Sequence, residues 1–194
     1  MLDKNYVSKG RNKWTLQLNI DEDDWFGCFA HLKRTTPDTK LRWLQYRIIH
    51  HILTTNRSVS KYNVYQTDMC QFCKESTETI QHLLWQCNIV RTFWENLISL
   101  INQRCKHAHN LEMDENLAIL GQSTHIYTDK VFDLIVLIAK YYIYRAKVQD
   151  KPLLLKSFIR ELYNSYCAEK VMRKNSIKFK TDWNPYTELF KSLL

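Results

Sequence analysis

Residues 70–87 contain four side chains of the types that bind zinc, arranged as Cys-x2-Cys-x8-His-x4-Cys: Cys70, Cys73, His82 and Cys87. Two cysteines with two residues between them form a turn that presents both sulfurs to one ion. A His and a Cys with four residues between them can close the tetrahedron from a following helix. Three thiolates and one imidazole leave no open position for water. The spacing therefore predicts a closed, structural zinc site.

The segment between the ligands indicates how the site is built. Ser76 or Thr77 can cap a helix that begins near Glu78, which places His82 inside that helix and Cys87 at its C-terminal end. The alternative is that these are three buried cysteines and a surface histidine. The chain has 6 Cys, and their spacing is not that of a small disulfide framework, so we expect a reducing compartment with thiols free for metal.

The composition favours an all-α fold with a small Cys3His zinc lobe. The chain has 194 residues and 45% hydrophobic content, which can fill a core, but it has only 3 Gly and 3 Pro for tight turns. We expect two parts that pack into one domain. Residues 1–110 form an N-terminal helical part that carries the zinc lobe, and residues 111–194 form a C-terminal helical part.

Helical periodicity and capping residues predict the main elements. The predicted helices cover residues 40–55 with Asp38 or Thr39 as cap, 88–104, 117–120, 129–148, and 152–174 with Pro152 in the first turn. Other patterns predict the structure of two N-terminal segments. The alternation of Trp14, Leu16, Leu18 and Ile20 indicates a strand or an extended arm. The acidic run 21–24 indicates a helix start rather than a catalytic carboxylate cluster.

Charge predicts a polyanionic partner. The net charge is +8 and the pI is about 9.1, which favours nucleic-acid phosphates or an anionic membrane surface. The longest apolar run, residues 134–139, is far shorter than the ~20 residues of a membrane span, so we expect a soluble chain without its own secretion signal. Residues 33–61 alone carry +6, and their bases are the predicted phosphate contacts: Lys33, Arg34, Lys40, Arg42, Arg47, Arg57 and Lys61. A second basic surface is predicted within residues 140–180.

The remaining candidates favour structural roles. Cys105, His107 and His109 are predicted to be a solvated loop rather than a second metal site, and Cys28 and Cys167 to be core residues. His50 and His51 lie on a basic helix without a catalytic partner at a telling spacing, which favours a surface or phosphate-facing role. The tyrosines at 141, 142 and 144 are predicted to be core and interface rather than a base-stacking platform.

Several of these motifs together resemble a known family. They are Asp38-Thr-Lys-Leu-Arg-Trp-Leu-Gln-Tyr-Arg-Ile-Ile-His-His, Cys70-Gln-Phe-Cys73, Glu78-Thr-Ile-Gln-His82-Leu-Leu, Cys87 and Phe93-Trp94. Residues 36–97 resemble the C-terminal zinc-binding (CCHC) region of reverse transcriptases from non-LTR, LINE-type retrotransposons. The resemblance implies the last domain of the polyprotein, downstream of its endonuclease and polymerase core, with Cys70, Cys73, His82 and Cys87 as the zinc ligands.

The resemblance also implies a function. Such a domain helps to bind the element's RNA or the target DNA during target-primed reverse transcription, next to the polymerase core, in a nuclear and cytoplasmic ribonucleoprotein. The chain has neither a paired-aspartate polymerase motif nor an endonuclease set of carboxylate and histidine, so we expect no catalysis. We also expect no membrane partner. The alternative is a protein-interaction module that docks the polymerase core or a host factor.

Overall fold

A computed structural model describes residues 9–20, 25, 27–28, 34–105, 111–121, 129–173 and 176–191. The helices in this part of the chain are α1 (Lys9–Leu18), α2 (Thr39–Ile49), α3 (Asn56–Ser60), α4 (Asn88–Arg104), α5 (Glu115–Leu120), α6 (Lys130–Val148), α7 (Leu155–Met172) and α8 (Ile177–Trp183). A π-helical turn spans His82–Gln86, and a 3-10 helix spans Asn184–Phe190. The extended pairing described is one isolated bridge between Met69 and Thr77. The predicted all-α architecture is confirmed.

Helix α6 lies at the centre of the fold. Every residue from 131 to 140 is buried, including Asp133 and Lys140, because other helices surround this mainly apolar segment. Phe93 of α4, Tyr142 of α6 and Phe158 of α7 form an aromatic cluster with ring centroids 5.5–5.8 Å apart. This cluster joins three helices, and it shows that Tyr142 belongs to the core as predicted.

A second aromatic cluster closes the C-terminal end. Tyr166 of α7 lies 5.2 Å from Trp183 and 5.2 Å from Phe190, measured between ring centroids, and 5.7 Å from Phe179. Three of these rings are buried, so they dock α8 and the 3-10 helix on α7. The carboxylate of Asp129, which caps α6, also accepts a hydrogen bond from the Tyr186 hydroxyl at 2.6 Å.

The strand or arm predicted around Trp14 is wrong, because this segment is helix α1. Trp14 is fully buried and its indole donates a hydrogen bond to the Ile48 carbonyl at 2.8 Å, whereas Leu16 is 86% exposed. Docking on α2 decides the conformation here, not the alternation of apolar residues. The docking is close at Gly10, where a Cβ atom would lie 2.1 Å from the His50 carbonyl oxygen. The acidic run 21–24 lies outside the described residues.

Helix α2 begins as predicted and ends earlier than predicted. The Asp38 carboxylate accepts from the Lys40 amide at 2.7 Å, which makes it the cap. The helix stops at Ile49 instead of Thr55, and His51 takes a left-handed conformation with φ +58°. Thr55 and Ser58 then form a capping box that starts α3. Similarly, α7 begins at Leu155, so Pro152 precedes the helix instead of occupying its first turn.

Hydrogen bonds connect the two predicted parts of the chain. The buried Gln45 side chain of α2 donates to the carbonyls of Ile119 and Leu120 at 2.9 and 2.8 Å. It accepts from Lys140 Nζ at 2.7 Å. The division near residue 110 stays a prediction. Lys140 is fully buried, so its place in the predicted second basic surface is wrong, and burial lowers its pKa to about 7.

In the described part of the chain, no helix is both long enough and apolar enough to cross a membrane.

Candidate metal centre

The first two predicted ligands lie in a tight turn between two short extended segments. The Met69–Thr77 bridge closes the turn, and the Cys70 amide donates to the Ser76 carbonyl at 2.7 Å. The Cys70 carbonyl accepts from the Lys74 amide at 3.0 Å, and Lys74 takes a left-handed conformation with φ +59°. The backbone itself therefore sets the turn that carries Cys70 and Cys73.

His82 lies on the helical segment that follows, and Cys87 lies at its C-terminal end. This segment begins at Ile80, two residues later than predicted, and the cap is the Thr79 hydroxyl, which accepts from the His82 amide at 2.9 Å. The predicted caps, Ser76 and Thr77, are therefore wrong. Thr77 instead donates its hydroxyl to the Asp68 carboxylate at 3.2 Å.

A widened helical turn brings His82 and Cys87 together. The Cys87 amide donates to the His82 carbonyl at 2.9 Å, which is the hydrogen bond of a π-helix. In an α-helix, residues five apart point about 140° away from each other around the axis. The π-helical turn thus places two ligands with four residues between them on the same side.

The four side chains converge on one point. Their ligand atoms all lie within 4.8 Å of one another. The sulfurs of Cys70 and Cys87 are 3.9 Å apart, and the Cys73 sulfur is 3.4 Å from His82 Nε2. A tetrahedral ion with bonds of about 2.3 Å to sulfur and about 2.0 Å to nitrogen would separate two sulfurs by about 3.8 Å and a sulfur from a nitrogen by about 3.5 Å. The observed cluster fits such an ion.

The protonation states around this cluster are those of crowded, buried groups. Cys70 and Cys87 do not form a disulfide bond, since their sulfurs are 3.9 Å apart and a disulfide bond is ~2.05 Å long. The hydrogen bond to Cys87 and burial raise the pKa of the Cys70 thiol, and burial lowers the pKa of His82. The neutral imidazole is the form that binds a metal, and a bound cation would favour the Cys70 thiolate.

Glu78 is a buried residue of the site that sequence reasoning missed. Its carboxylate accepts from the amides of Asn56 and Gln71 at 2.8 and 2.9 Å and lies 3.2 Å from Lys147 Nζ of α6. Glu78 is fully buried, so it connects α3, the cysteine turn and α6 in one network. Gln71 also donates its side chain to Asp150. In the sequence Glu78 is only one acid in a polar segment, which carries no signal of burial.

The predicted phosphate contacts divide into two groups. The exposed bases among them are Arg34, Lys40, Arg57 and Lys61. Arg42 and Arg47 are half-buried. Arg42 donates Nε to the Thr36 carbonyl at 2.6 Å, and the Arg47 guanidinium lies 5.1 Å from the centroid of the Tyr144 ring. Lys33 lies outside the described residues.

The other predicted candidates have structural surroundings where they are described. Cys28 is buried, while Cys167 is half-buried. Cys105 is buried and its pKa is raised to about 12, mainly by burial, while His107 and His109 lie outside the described residues. Within the described part of the chain, the ligands at 70, 73, 82 and 87 are the cluster with metal-binding geometry.

Comparison with known families agrees with this geometry. Residues 11–94 match the family model described as zinc-binding in reverse transcriptase. The match covers under half of the chain and includes all four ligands. Residues 11–94 are therefore similar to the zinc-binding domain of reverse-transcriptase-related proteins. Comparison with curated proteins and with solved structures found no match.

Proposed function

We propose that this chain, whose residues 11–94 match the family described as zinc-binding in reverse transcriptase, is a non-catalytic nucleic-acid-binding domain of a LINE-type reverse transcriptase. It binds the element's RNA, the target DNA, or both, during target-primed reverse transcription. The observation that carries the proposal is the set of exposed bases on and beside α2 and α3: Arg34, Lys40, Arg57 and Lys61.

The contacts around α3 support a link between the cluster and these bases. Asn56 donates its side chain to the Met69 carbonyl at 2.7 Å, and its amide donates to Glu78, so α3 is attached to the cysteine turn. Arg57 lies on α3 and Lys61 at its C-terminal cap. An ion that holds the turn therefore also holds the helix that carries two phosphate contacts. The ion stabilises the surface and the bases bind the ligand.

The chemistry of the ligand set supports Zn²⁺ as the ion. Three thiolates and one imidazole in a tetrahedral cluster are a ligand set typical of structural zinc. With four protein ligands, no position remains for a metal-bound water, so the ion supplies folding energy rather than a nucleophile. The domain is thus proposed to act by binding, and catalysis belongs to the polymerase and endonuclease parts of the polyprotein.

The proposal includes a partner and a location. The partner is the reverse transcriptase core of the same polyprotein, and the complex is a ribonucleoprotein of nucleus and cytoplasm. An alternative is a protein-interaction module for that core or a host factor. The exposed segment after α3 favours this alternative, because Tyr62, Val64 and Tyr65 are 92%, 86% and 97% exposed. Cross-linking of the chain to the polymerase core tests it.

The primary test measures the affinity for RNA, single-stranded DNA and duplex DNA as a function of salt. A plot of log affinity against log salt concentration should fall with a slope of about −0.7 per phosphate contact for single strands and about −0.9 per contact for duplex. Replacing Lys40, Arg57 and Lys61 with Gln should make the slope for single strands shallower by about 2 and leave the metal content unchanged.

A matched control removes three charges elsewhere. Arg91, Lys130 and Lys191 are exposed bases outside residues 33–61 and outside the predicted second basic surface, and their replacement with Gln changes the net charge by the same amount. The control should keep most of the wild-type slope. Equal losses in both variants would mean that net charge alone attracts the nucleic acid, and an affinity indifferent to salt would contradict the proposal.

A further inference from the structure

Two exposed aromatic side chains of α2 and a half-buried histidine at its C-cap form a stripe. Trp43, Tyr46 and His50 are spaced by three and four residues, which places them on one face of the helix. Trp43 is 56% exposed and Tyr46 is 41% exposed. The opposite face carries Leu44 and Ile48, which are fully buried. The helix therefore presents aromatic rings to solvent while it buries aliphatic side chains.

The rings of this stripe are ordered against one another. The ring centroids of Trp43 and Tyr46 are 5.2 Å apart and the ring planes differ by 9°, which is a stacked pair. The Tyr46 and His50 centroids are 4.1 Å apart with a tilt of 40°. The buried aromatic clusters of α6, α7 and α8 contribute to the hydrophobic core, whereas this pair keeps much of its surface in water. Core packing thus does not account for an indole and a phenol at these positions.

Positive charge lies at both ends of the stripe. Lys40 is exposed and lies one helical turn before Trp43. At the other end, the charges of Lys13 and Arg57 are close enough to His51 to lower its pKa, after the larger effect of burial. Lys13 and Arg57 are both exposed. An aromatic surface with a cation at each end is typical of sites that track a nucleic-acid backbone and stack its bases.

We infer that the stripe of Trp43, Tyr46 and His50 is a stacking platform for unpaired bases of a single-stranded nucleic acid. Lys40 at one end and Lys13 and Arg57 at the other contact its phosphates. This inference rests on the proposed function and names the form of the ligand, a single strand rather than a duplex.

The physical reason for the selectivity is access to the base faces. In a duplex the faces of the bases are covered by their neighbours, whereas a single strand can turn them toward aromatic side chains. Residues 43 and 50 are separated by a rise of about 10 Å along the helix axis, so the platform has room for more than one ring. Because every base has a π-face, the platform should tolerate any sequence.

The test compares three forms of the whole chain: wild type, Trp43→Leu with Tyr46→Leu, and Trp43→Phe with Tyr46→Phe. The leucine pair keeps apolar side chains and removes the rings, and the phenylalanine pair keeps rings. The probes are fluorescein-labelled oligo(U), oligo(dT) and a mixed-sequence RNA duplex, each of about 12 nucleotides. Binding is followed by fluorescence anisotropy over a salt series, with helicity and metal content measured for each form.

The leucine pair should weaken binding of the single strands by about 5- to 150-fold, the equivalent of one stacked base, and change duplex binding by less than about twofold. Its salt slope should equal that of wild type, since no phosphate contact is lost. The phenylalanine pair should retain most of the affinity. The inference is supported if the leucine pair binds oligo(U) or oligo(dT) more weakly than wild type does and binds the duplex with unchanged affinity.

Other outcomes would overturn it. If wild type binds and the leucine pair binds single strands equally well, or loses single strands and duplex alike, the stripe is not a stacking platform, although the proposed function survives. If wild type binds no nucleic acid at low salt, the proposed function itself fails. Ultraviolet cross-linking of 5-bromouridine RNA to the wild-type chain needs no variant. It should yield adducts on Trp43 or Tyr46, and adducts confined to other segments would contradict the inference.

Discussion

The lobe formed by residues 55–87 and the core formed by α4, α6 and α7 are stabilised in different ways. In the lobe, residues 61–67 are all exposed, and residues 55–79 are ordered by turns, the Glu78 network and the four-ligand cluster, while Ile80, Leu83, Leu84 and Trp85 reach the hydrophobic core. In the core, residues 131–140 are all buried and aromatic rings of three helices meet. One all-α chain therefore combines a segment held by ligand and hydrogen-bond chemistry with a segment held by apolar burial.

This difference has a thermodynamic consequence. A segment with little apolar surface cannot offset the conformational entropy that it loses on folding, so its stability must come from specific bonds. The lobe should therefore respond to loss of metal, while the core should not.

Removing the metal should unfold the lobe and spare the core. Chelation, or replacement of Cys73 with Ser, removes a binding free energy that amounts to about 10 kcal/mol or more in zinc-finger peptides. In hydrogen exchange, amides of residues 68–79 should lose their protection, while those of residues 131–143 keep it. Cys167→Ser, a half-buried cysteine outside the cluster, is the control and should change neither region. Loss of protection throughout the chain would show that the core also depends on the ion.

Replacing Glu78 with Gln should break the connection between the lobe and α6. The change leaves Lys147, whose side chain is only 9% exposed, without its charged partner, and removal of one member of a buried ion pair costs about 3–5 kcal/mol. Urea unfolding measures the loss. Lys147→Met should cost less, because the Glu78 carboxylate keeps two backbone donors. Equal losses of unfolding free energy in the two variants would mean that the ion pair, and not the hydrogen bonds of Glu78 to the backbone, stabilises this connection.

Lys140 should make the stability of the core depend on pH. Its folded pKa of about 7 lies below the ordinary 10.5, so between these values the unfolded chain binds more protons and stability rises with pH. The slope from this one group is on the order of 1 kcal/mol per pH unit and vanishes below pH ~7. Urea unfolding at several pH values should show this slope in wild type and a flatter one in Lys140→Met.

The comparison of slopes is needed because the variant also leaves the Gln45 side-chain oxygen without its donor, a cost that is present at every pH. Titration of the metal ligands contributes equally to both proteins and cancels. Identical slopes would show that Lys140 keeps its charge in the folded protein over this range.

The smallest effect should come from two helix caps. Thr79→Ala and Asp38→Ala each remove a side chain that accepts from a first-turn amide, which costs about 1 kcal/mol. Thr79 positions the His82 backbone, so its loss should also weaken metal binding by about fivefold. Asp38 caps α2 outside the cluster and should leave metal affinity unchanged. Competition with a chromophoric chelator measures both, and equal affinities in the two variants would show that the ligands are placed without the cap.

Prediction from the sequence succeeded where local signals and burial agree. Helix α4 ends at Arg104 as predicted, although Cys87 and not the predicted Asn88 precedes it as the cap, and α6 spans Lys130–Val148, close to the predicted 129–148. It failed where a single long-range contact decides. Trp14 buries its indole and donates a hydrogen bond to the Ile48 carbonyl, and no local sequence pattern predicts that bond. The end of α2 was missed for a related reason, since the Thr55 capping box competes with a helical periodicity that continues to Leu53.

The amino-acid sequence by itself determined the helical class and the four side chains that meet at the candidate metal centre, because ligand type and spacing are local properties. Only the tertiary structure decided which charges face water. Lys140 and Glu78 are buried by partners far away in the chain, Arg42 and Arg47 turn toward carbonyl and ring partners, and Lys40, Arg57 and Lys61 stay exposed. The same packing buries the aliphatic face of α2 and leaves Trp43 and Tyr46 in solvent. Burial depends on contacts between distant segments, and a linear pattern does not contain them.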